Sequence, residues 1–247
     1  MRKNLENKIH RAIGCEITPG NTTDTFTFTS ILKKDWEERA LKDPTLYVMA
    51  ESKASEEKIL HSGKTDFENE FLPRLKNYIT KESAILEIGC GVGRMSYYIS
   101  QVCRELTILD ISRELLDIAV VRLVENYHLN NLFIVEGNGI NLHQLPDTWF
   151  DIVFEYIVFQ HIPSEDIIKN YILDINRVLK VGGVALLHGR DIQGVHTDDN
   201  YSGNTWHGCQ FGPELLKKSI ENTSLKIISE EGIQTERYWV LLQKGEN

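Results

Sequence analysis

The segment 85–94, ILEIGCGVGR, constrains this chain more than any other stretch of it. A short apolar run enters a turn carrying Gly89, Gly91 and Gly93, and helical spacing resumes directly afterwards. Glycines there remove side-chain obstruction, allow dihedrals closed to other residues, and let backbone amides approach a ligand. Two common nucleotide turns fit poorly. The GxxxxGK[ST] phosphate loop is absent, and the third glycine falls one residue early for the dinucleotide G-x-G-x-x-G pattern. A tight strand–helix turn without a ligand is the plain alternative.

The texture around that turn supplies its context. Apolar runs at 85–88, 106–109, 132–135, 150–154 and 184–187 predict strands, and helical spacing occupies 94–102, 113–127 and 165–179. Strands alternating with helices predict an α/β domain with a mainly parallel sheet covered on both faces. In the last of these helices Ile168, Ile172, Ile175 and Leu179 form one stripe, Ser164 suits the N-cap, and Lys180 with Gly182-Gly183 marks the exit. More than twenty residues after Leu187 lack a periodic element, a length usually tied to function. Gly212-Pro213 then starts a helix through Glu221, and 225–229 and 237–243 read as terminal strands.

The first eighty residues differ. The polar stretch 19–30 predicts a loop or short extended piece, 31–42 a helix stopped by Asp43-Pro44, and 45–60 a second helix. In 65–79, Thr65 and Glu68 have capping-box spacing, Phe67, Phe71, Leu75 and Tyr78 share a face, and Pro73 predicts a kink or two abutting helices. The expected division is an N-terminal extension and helical cap over 1–80 and a ligand-binding domain over 81–247.

Composition sets outer bounds. With 247 residues, 41% hydrophobic and 26% charged, the chain can bury a substantial core, which argues against whole-chain disorder and fibrous structure. A net charge of -9 disfavours broad attraction to a phosphate backbone, so nucleic acid is not the expected partner. The opening residues show no continuous apolar run, so neither a secretory signal nor a membrane anchor is expected. Cys15, Cys90, Cys103 and Cys209 show no Cys-x-x-Cys pairing, which suits a reducing cytoplasm, and the eight histidines show no ligand spacing for a metal.

Other residues sharpen the ligand. Asp110 ends the second strand, where a carboxylate can accept hydrogen bonds from two ribose hydroxyls, or alternatively cap the helix near Ser112. Asn138, between Gly137 and Gly139, is either an adenine-reading amide or a turn residue, with Ile111 and Ile140 offering apolar contact to a base.

Taken in order, the E-x-G-C-G-x-G-R turn, Asp110, the GNG segment, FDIVFEYIVFQHIP and RVLKVGG resemble class I S-adenosylmethionine-dependent methyltransferases over residues 84–188. The resemblance implies a seven-stranded Rossmann-like methyltransferase sheet with flanking helices, in strand order 3-2-1-4-5-7-6 with the seventh antiparallel. It implies S-adenosyl-L-methionine as donor and S-adenosyl-L-homocysteine as product. Glu87 would lie near the donor's amino group, Gly89, Gly91 and Gly93 around its methionine portion, and Asp110 on the ribose. Asn138 would face adenine where the family often has Asp, beside Ile111, Gly139 and Ile140. Arg94 would pair with the donor carboxylate or serve as a supporting salt bridge. Glu155 and Tyr156 would stand where donor and acceptor meet.

A sulfonium-bound methyl is already activated, so the protein's task is to align a nucleophile and exclude water. His207, within NTWHG, is the preferred candidate base, with Trp206 as an apolar wall; His196 and Asp198 in the same loop form an alternative pair. His161 either supports its turn or faces the acceptor, and His188 is expected to hydrogen-bond at a sheet end. Tyr47 leads the aromatic residues by which the cap would close over the site. The expected function is methyl transfer to oxygen or nitrogen of a small-molecule acceptor in the cytoplasm, by a monomer or a homodimer. The alternatives are a methyltransferase acting on RNA or other nucleic acid, and a non-catalytic donor-binding regulator or partner subunit.

Overall fold

A strand apolar on both faces needs cover on both, and the AILEI strand, interrupted only by Glu87, is placed accordingly. In the computed structural model, which describes residues 23–192 and 206–246, β1 (Ala84–Ile88) is buried throughout and lies in the interior of a seven-stranded sheet. The others are β2 (Glu105–Asp110), β3 (Leu132–Glu136), β4 (Phe150–Glu155), β5 (Leu179–Gly189), β6 (Leu225–Glu231) and β7 (Tyr238–Lys244). Their spatial order is β3-β2-β1-β4-β5-β7-β6. The first five run parallel, while β7 is antiparallel to both β5 and β6. This is the order and direction that the resemblance implies.

Alternation along each strand divides the core in two. Leu86 and Ile88 join Phe150, Ile168, Ile172 and Ile175 on one face. Ile85 joins Phe71, Ile99, Ile152 and Phe154 on the other. Burial of each such side chain contributes about 1.5–3 kcal/mol. The helix α7 (Glu165–Val178) supplies the predicted stripe, and the Ser164 hydroxyl accepts the Ile167 N–H at 3.4 Å. Other covering helices are α5 (Ser96–Ser100), α6 (Arg113–Val120), continued by a π-helical turn Val121–Asn126, and α8 (Pro213–Ile220).

The N-terminal region departs from expectation in three places. Helix α1 spans Thr23–Lys42, so most of the stretch expected as a loop or extended piece is helical. Its helical spacing is written in Thr29, Leu32 and Ala40, which are buried, and in half-buried Trp36; tertiary cover outweighs the poor helix propensity of threonine. The segment expected as one helix over 45–60 is two, α2 (Pro44–Met49) and α3 (Glu56–Asp66). Ala50 takes the left-handed conformation that ends α2, and Ser55 caps α3. Thr65 lies inside α3, its hydroxyl donating to His61 O at 2.9 Å, so no capping box starts there. The chain continues through a π-helical turn Phe67–Phe71 into α4 (Leu72–Leu75), with Pro73 in its first turn, as two abutting helices.

No helix among the described residues is long and apolar enough to cross a membrane. Among the same residues, no group of three His, Cys, Asp or Glu gathers as for a metal ion.

Candidate active site

The glycine turn follows β1 at the carboxyl edge of the sheet, where parallel strands leave room for a ligand. Gly89 (φ +75°) and Gly91 (φ +55°) take left-handed backbone. A Cβ at position 89 would stand 2.2 Å from Val158 Cγ2, and one at 91 would stand 2.9 Å from Val48 Cγ1. Any side chain at either position is therefore both strained and obstructed. The Gly89 and Cys90 amides donate to Leu109 O at 2.6 and 3.1 Å, tying the turn to the end of β2.

Asp110 completes that tie. Its Oδ2 accepts the Gly91 N–H at 2.8 Å and its Oδ1 accepts the Ser112 N–H at 2.9 Å. Burial raises its pKa to about 6 against the pull of those two bonds. Glu87, on the last part of β1, is also buried and accepts the Ser96 hydroxyl at 2.6 Å; burial raises its pKa to about 7.

A cleft with about 970 Å³ of empty space, part of it open to solvent, runs from these two acids past Gly89 and Gly91 to Tyr156 and His161. Its walls include Leu32 and Trp36 of α1 and Tyr47 and Val48 of α2, so the cap forms one side of it. The cap is fastened beside Asp110: Glu37 of α1 accepts the Arg113 and Glu114 amides at 2.7 and 3.1 Å and the Ser112 hydroxyl at 3.1 Å. A carboxylate there takes up unpaired amides at the start of α6 and complements that helix's dipole. At the outer end, Trp206 meets His161 (5.0 Å between ring centroids), Tyr47 (5.8 Å) and Trp36 (6.4 Å). The Arg39 guanidinium lies over Trp36, Tyr47 and Trp206 and pairs with Asp35 at 3.1 Å.

Two buried carboxylates beside a bend too tight for side chains suit a ligand rich in hydroxyl and ammonium donors. S-adenosyl-L-methionine has both, and its sulfonium suits the aromatic wall beyond. Asp110 and Glu87 would hold its ribose and amino groups. When bound, the donor supplies an activated methyl group.

The comparisons agree with this geometry. Residues 86–187 match the methyltransferase-domain family. Human thiol S-methyltransferase TMT1A is 26% identical over 169 residues, covering 65% of this chain and 67% of that protein. The probable methyltransferase ltbC of Aspergillus luteorubrus is 31% identical over 113 residues, covering 43% of this chain and 40% of that one. The structure of phosphoethanolamine N-methyltransferase 1 from Haemonchus contortus, with phosphoethanolamine and S-adenosylhomocysteine, superposes with TM-score 0.64 at 16% identity, over 92% of this chain and 50% of the other. Residues 86–187 thus carry a methyltransferase domain, and the sheet has the class I S-adenosylmethionine-dependent methyltransferase fold. The chain is an enzyme that uses S-adenosyl-L-methionine and releases S-adenosyl-L-homocysteine.

The structure gathers Glu87, Gly89, Gly91, Arg94, Asp110, Ile111, Gly139, Tyr47, Tyr156 and His161 in the cleft wall. Gly93 lies behind it, where a Cβ would meet Leu123 Cδ1 at 2.7 Å. Arg94 pairs with Asp66 and reaches Ser62 Oγ at 3.4 Å, the supporting arrangement foreseen as its alternative. Asn138 is used in its own turn: its Oδ1 accepts the Ile140 and Asn141 amides at 2.8 and 3.0 Å, and its Nδ2 donates to Asn141 Oδ1 at 2.7 Å. Ile140 is part of that turn.

Glu155 is buried and faces the backbone. Its carboxylate accepts amides from Val158 (3.1 Å), Phe159 (3.3 Å) and His188, and burial raises its pKa to about 8. Trp206 belongs to the aromatic wall through its ring contacts, while His207 is exposed with Nδ1 3.4 Å from Arg190 Nη1. His196 and Asp198 lie outside the described residues, as does Cys15.

Two residues important to this arrangement escape the sequence reading, and a third departs from it. Glu37 has no local signal, since only tertiary packing brings it to α6. Val158 closes on Gly89 from a loop whose path is set by Glu155. His188 was expected to hydrogen-bond at the sheet end, yet neither ring nitrogen has a partner although the residue is 2% exposed. Leaving a buried polar group unpaired costs about 1–3 kcal/mol.

Proposed function

We propose that the chain transfers the methyl group of S-adenosyl-L-methionine to oxygen or nitrogen of a small, largely apolar acceptor. The observation that carries this is the cleft itself: the Asp110–Gly91 unit opens into a wall of Trp36, Tyr47, Tyr156 and His161. Such a wall suits a compact ring or chain better than a charged polymer. The relatives named above act, by their names, on thiol and phosphoethanolamine acceptors, which supports a small-molecule acceptor in general without fixing its class.

In this proposal Glu87, Gly89, Gly91, Asp110, Ile111 and Gly139 hold the donor, with Gly93 and Arg94 supporting the bend. Asn138, Ile140 and Glu155 act on the donor only through the turns they shape. Tyr47, Tyr156, His161 and Trp206 line the acceptor space. His207 stands beside that wall as a candidate proton acceptor, with His196 and Asp198 as the alternative pair. Residues 1–80 serve as extension and cap, 81–247 as the catalytic domain, and the setting is cytoplasmic.

The test is transfer of labelled methyl from S-adenosyl-L-methionine into a small-molecule extract and, separately, into total RNA. Label in the extract fraction is expected. Label confined to RNA would favour a nucleic-acid methyltransferase, and donor binding with label in neither would favour a regulatory protein.

A further inference from the structure

Three imidazoles stand near the outer end of the cleft, and their nitrogens are engaged differently. His161 Nδ1 lies 2.5 Å from the Trp206 carbonyl oxygen. That oxygen only accepts, so Nδ1 carries the hydrogen and Nε2, 3.2 Å from Gln160 Nε2, accepts from the amide. His207 is exposed, and Arg190 donates toward its Nδ1. His188 alone is buried with neither nitrogen hydrogen-bonded.

Sheet register explains where His188 sits. It pairs with Trp239 across β5 and β7, and Leu186 pairs with Phe154 across β5 and β4, which brings Tyr156 alongside. The Tyr156 and Trp239 rings stack with centroids 5.2 Å apart and planes at 14°. Both meet the imidazole edge-to-face, at 5.2 and 4.7 Å. An aromatic face can take the imidazole N–H. Neither neighbour gives a hydrogen to the remaining nitrogen, so its lone pair is unused.

Tyr156 lines the cleft, and its hydroxyl is touched by Arg237 Nη2 at 3.4 Å. His188 is thus one side chain away from the acceptor space. We infer that the unused His188 nitrogen accepts the hydrogen bond of the acceptor's hydroxyl and takes its proton, the Tyr156 ring turning aside to admit the acceptor. This rests on the methyltransferase reading above, narrows it to oxygen, and gives to His188 the proton-accepting role considered there for His207. As an oxygen lone pair forms the O–CH3 bond, the CH3–S bond breaks with its electron pair going to sulfur, and the O–H proton passes to His188.

His188 itself favours a hydroxyl over an amine. Arg74 lies 4.5 Å over Trp239, Arg94 lies 5.9 Å over Tyr156, and Arg237 touches the Tyr156 hydroxyl. Glu70 pairs with Arg74 and Arg237, Glu231 with Arg74, and Asp66 with Arg94, so three carboxylates balance the three guanidinium groups and the choice of acceptor falls to the base itself. Burial, with Arg237 and Arg74 nearby, holds the His188 pKa at about 3. That base is too weak to strip an ammonium, yet sufficient for an oxygen that becomes strongly acidic as it acquires the methyl group.

The test uses the full chain labelled with 15N-histidine and saturated with S-adenosyl-L-homocysteine, titrated with phenol and then with anisole. Phenol is expected to move the unprotonated His188 nitrogen resonance upfield, and anisole, which lacks the donor, to leave it in place. His188→Phe, which fills the aromatic site without the orphaned nitrogen, should keep or raise Tm, keep S-adenosyl-L-homocysteine affinity, and weaken phenol binding about tenfold. His188→Gln is the second variant and should retain part of the phenol affinity. Equal responses to phenol and anisole, a response at His161 or His207 instead, or unchanged phenol affinity in His188→Phe would overturn the inference. Failure of S-adenosyl-L-homocysteine to bind would overturn the donor-site reading beneath it, a separate result.

Discussion

The carboxylate of Asp110 accepts the backbone N–H of Gly91 at 2.8 Å, so the acid that ends β2 and the bend that follows β1 are one unit. Neither half is a ligand site alone. Together they hold a buried acid beside a glycine bend against which Val48 and Val158 pack.

Asp110→Asn keeps the volume and should weaken S-adenosyl-L-homocysteine binding by about 2 kcal/mol, roughly thirtyfold. The amide offers fewer acceptor lone pairs to ribose hydroxyls. Calorimetry on the folded variant measures this, and unchanged affinity would remove Asp110 from the donor site.

Donor affinity should depend on pH with a definite sign. Burial raises Glu87 from 4.5 to about 7 and Asp110 from 3.8 to about 6, so both hold protons in the free protein at mildly acid pH. A bound ammonium favours the ionised acids, so protons compete with it. Affinity should be level above pH 7 and fall below it, approaching about tenfold per unit for each group titrated. Stability of the free protein runs the other way. Native acids with raised pKa bind more protons than the unfolded chain, so their contribution falls as pH rises from about 4 to 7. Affinity that rises on acidification would contradict the first statement, and free-protein stability that rises from about pH 4 to 7 would contradict the second.

Glu37→Ala should loosen α1 without unfolding the sheet. It removes the acceptor for the Arg113 and Glu114 amides and the Ser112 hydroxyl, a cap-like loss of about 1 kcal/mol. Limited proteolysis should cut within α1 faster, donor affinity should fall several-fold, and Tm should change little. Equal cleavage rates in variant and parent would show that Glu37 does not fasten the cap.

Glu155→Leu should be a stability variant. Three buried amides lose their acceptor, each such loss costing about 1–3 kcal/mol. The loop that carries Val158 against Gly89 would lose its anchor. A large drop in Tm is expected, together with weaker S-adenosyl-L-homocysteine binding; full thermal stability would show that the loop is held by packing instead.

The strands and the glycine bend were legible because their signals are local: apolar runs of strand length, and glycines where the backbone turns left-handed. Asp110 was legible by its position after a strand. The extent of α1 was not, because threonine favours extended chain while the helix, which begins at Thr23, is packed through Thr29, Leu32 and Ala40. Asn138 looked like a base-reading amide because a GNG turn leaves both uses open, and its side chain closes the turn. Glu155 and His188 were visible as polar ends of strands, but no sequence pattern tells whether such a group meets amides, rings or a ligand.

The most direct measurement is calorimetric titration of the full chain with S-adenosyl-L-methionine and with NAD, repeated for Asp110→Asn. The account predicts saturable binding of S-adenosyl-L-methionine, weakened in the variant, and none of comparable strength for NAD. Equal or stronger binding of NAD, or S-adenosyl-L-methionine binding indifferent to Asp110, would contradict it.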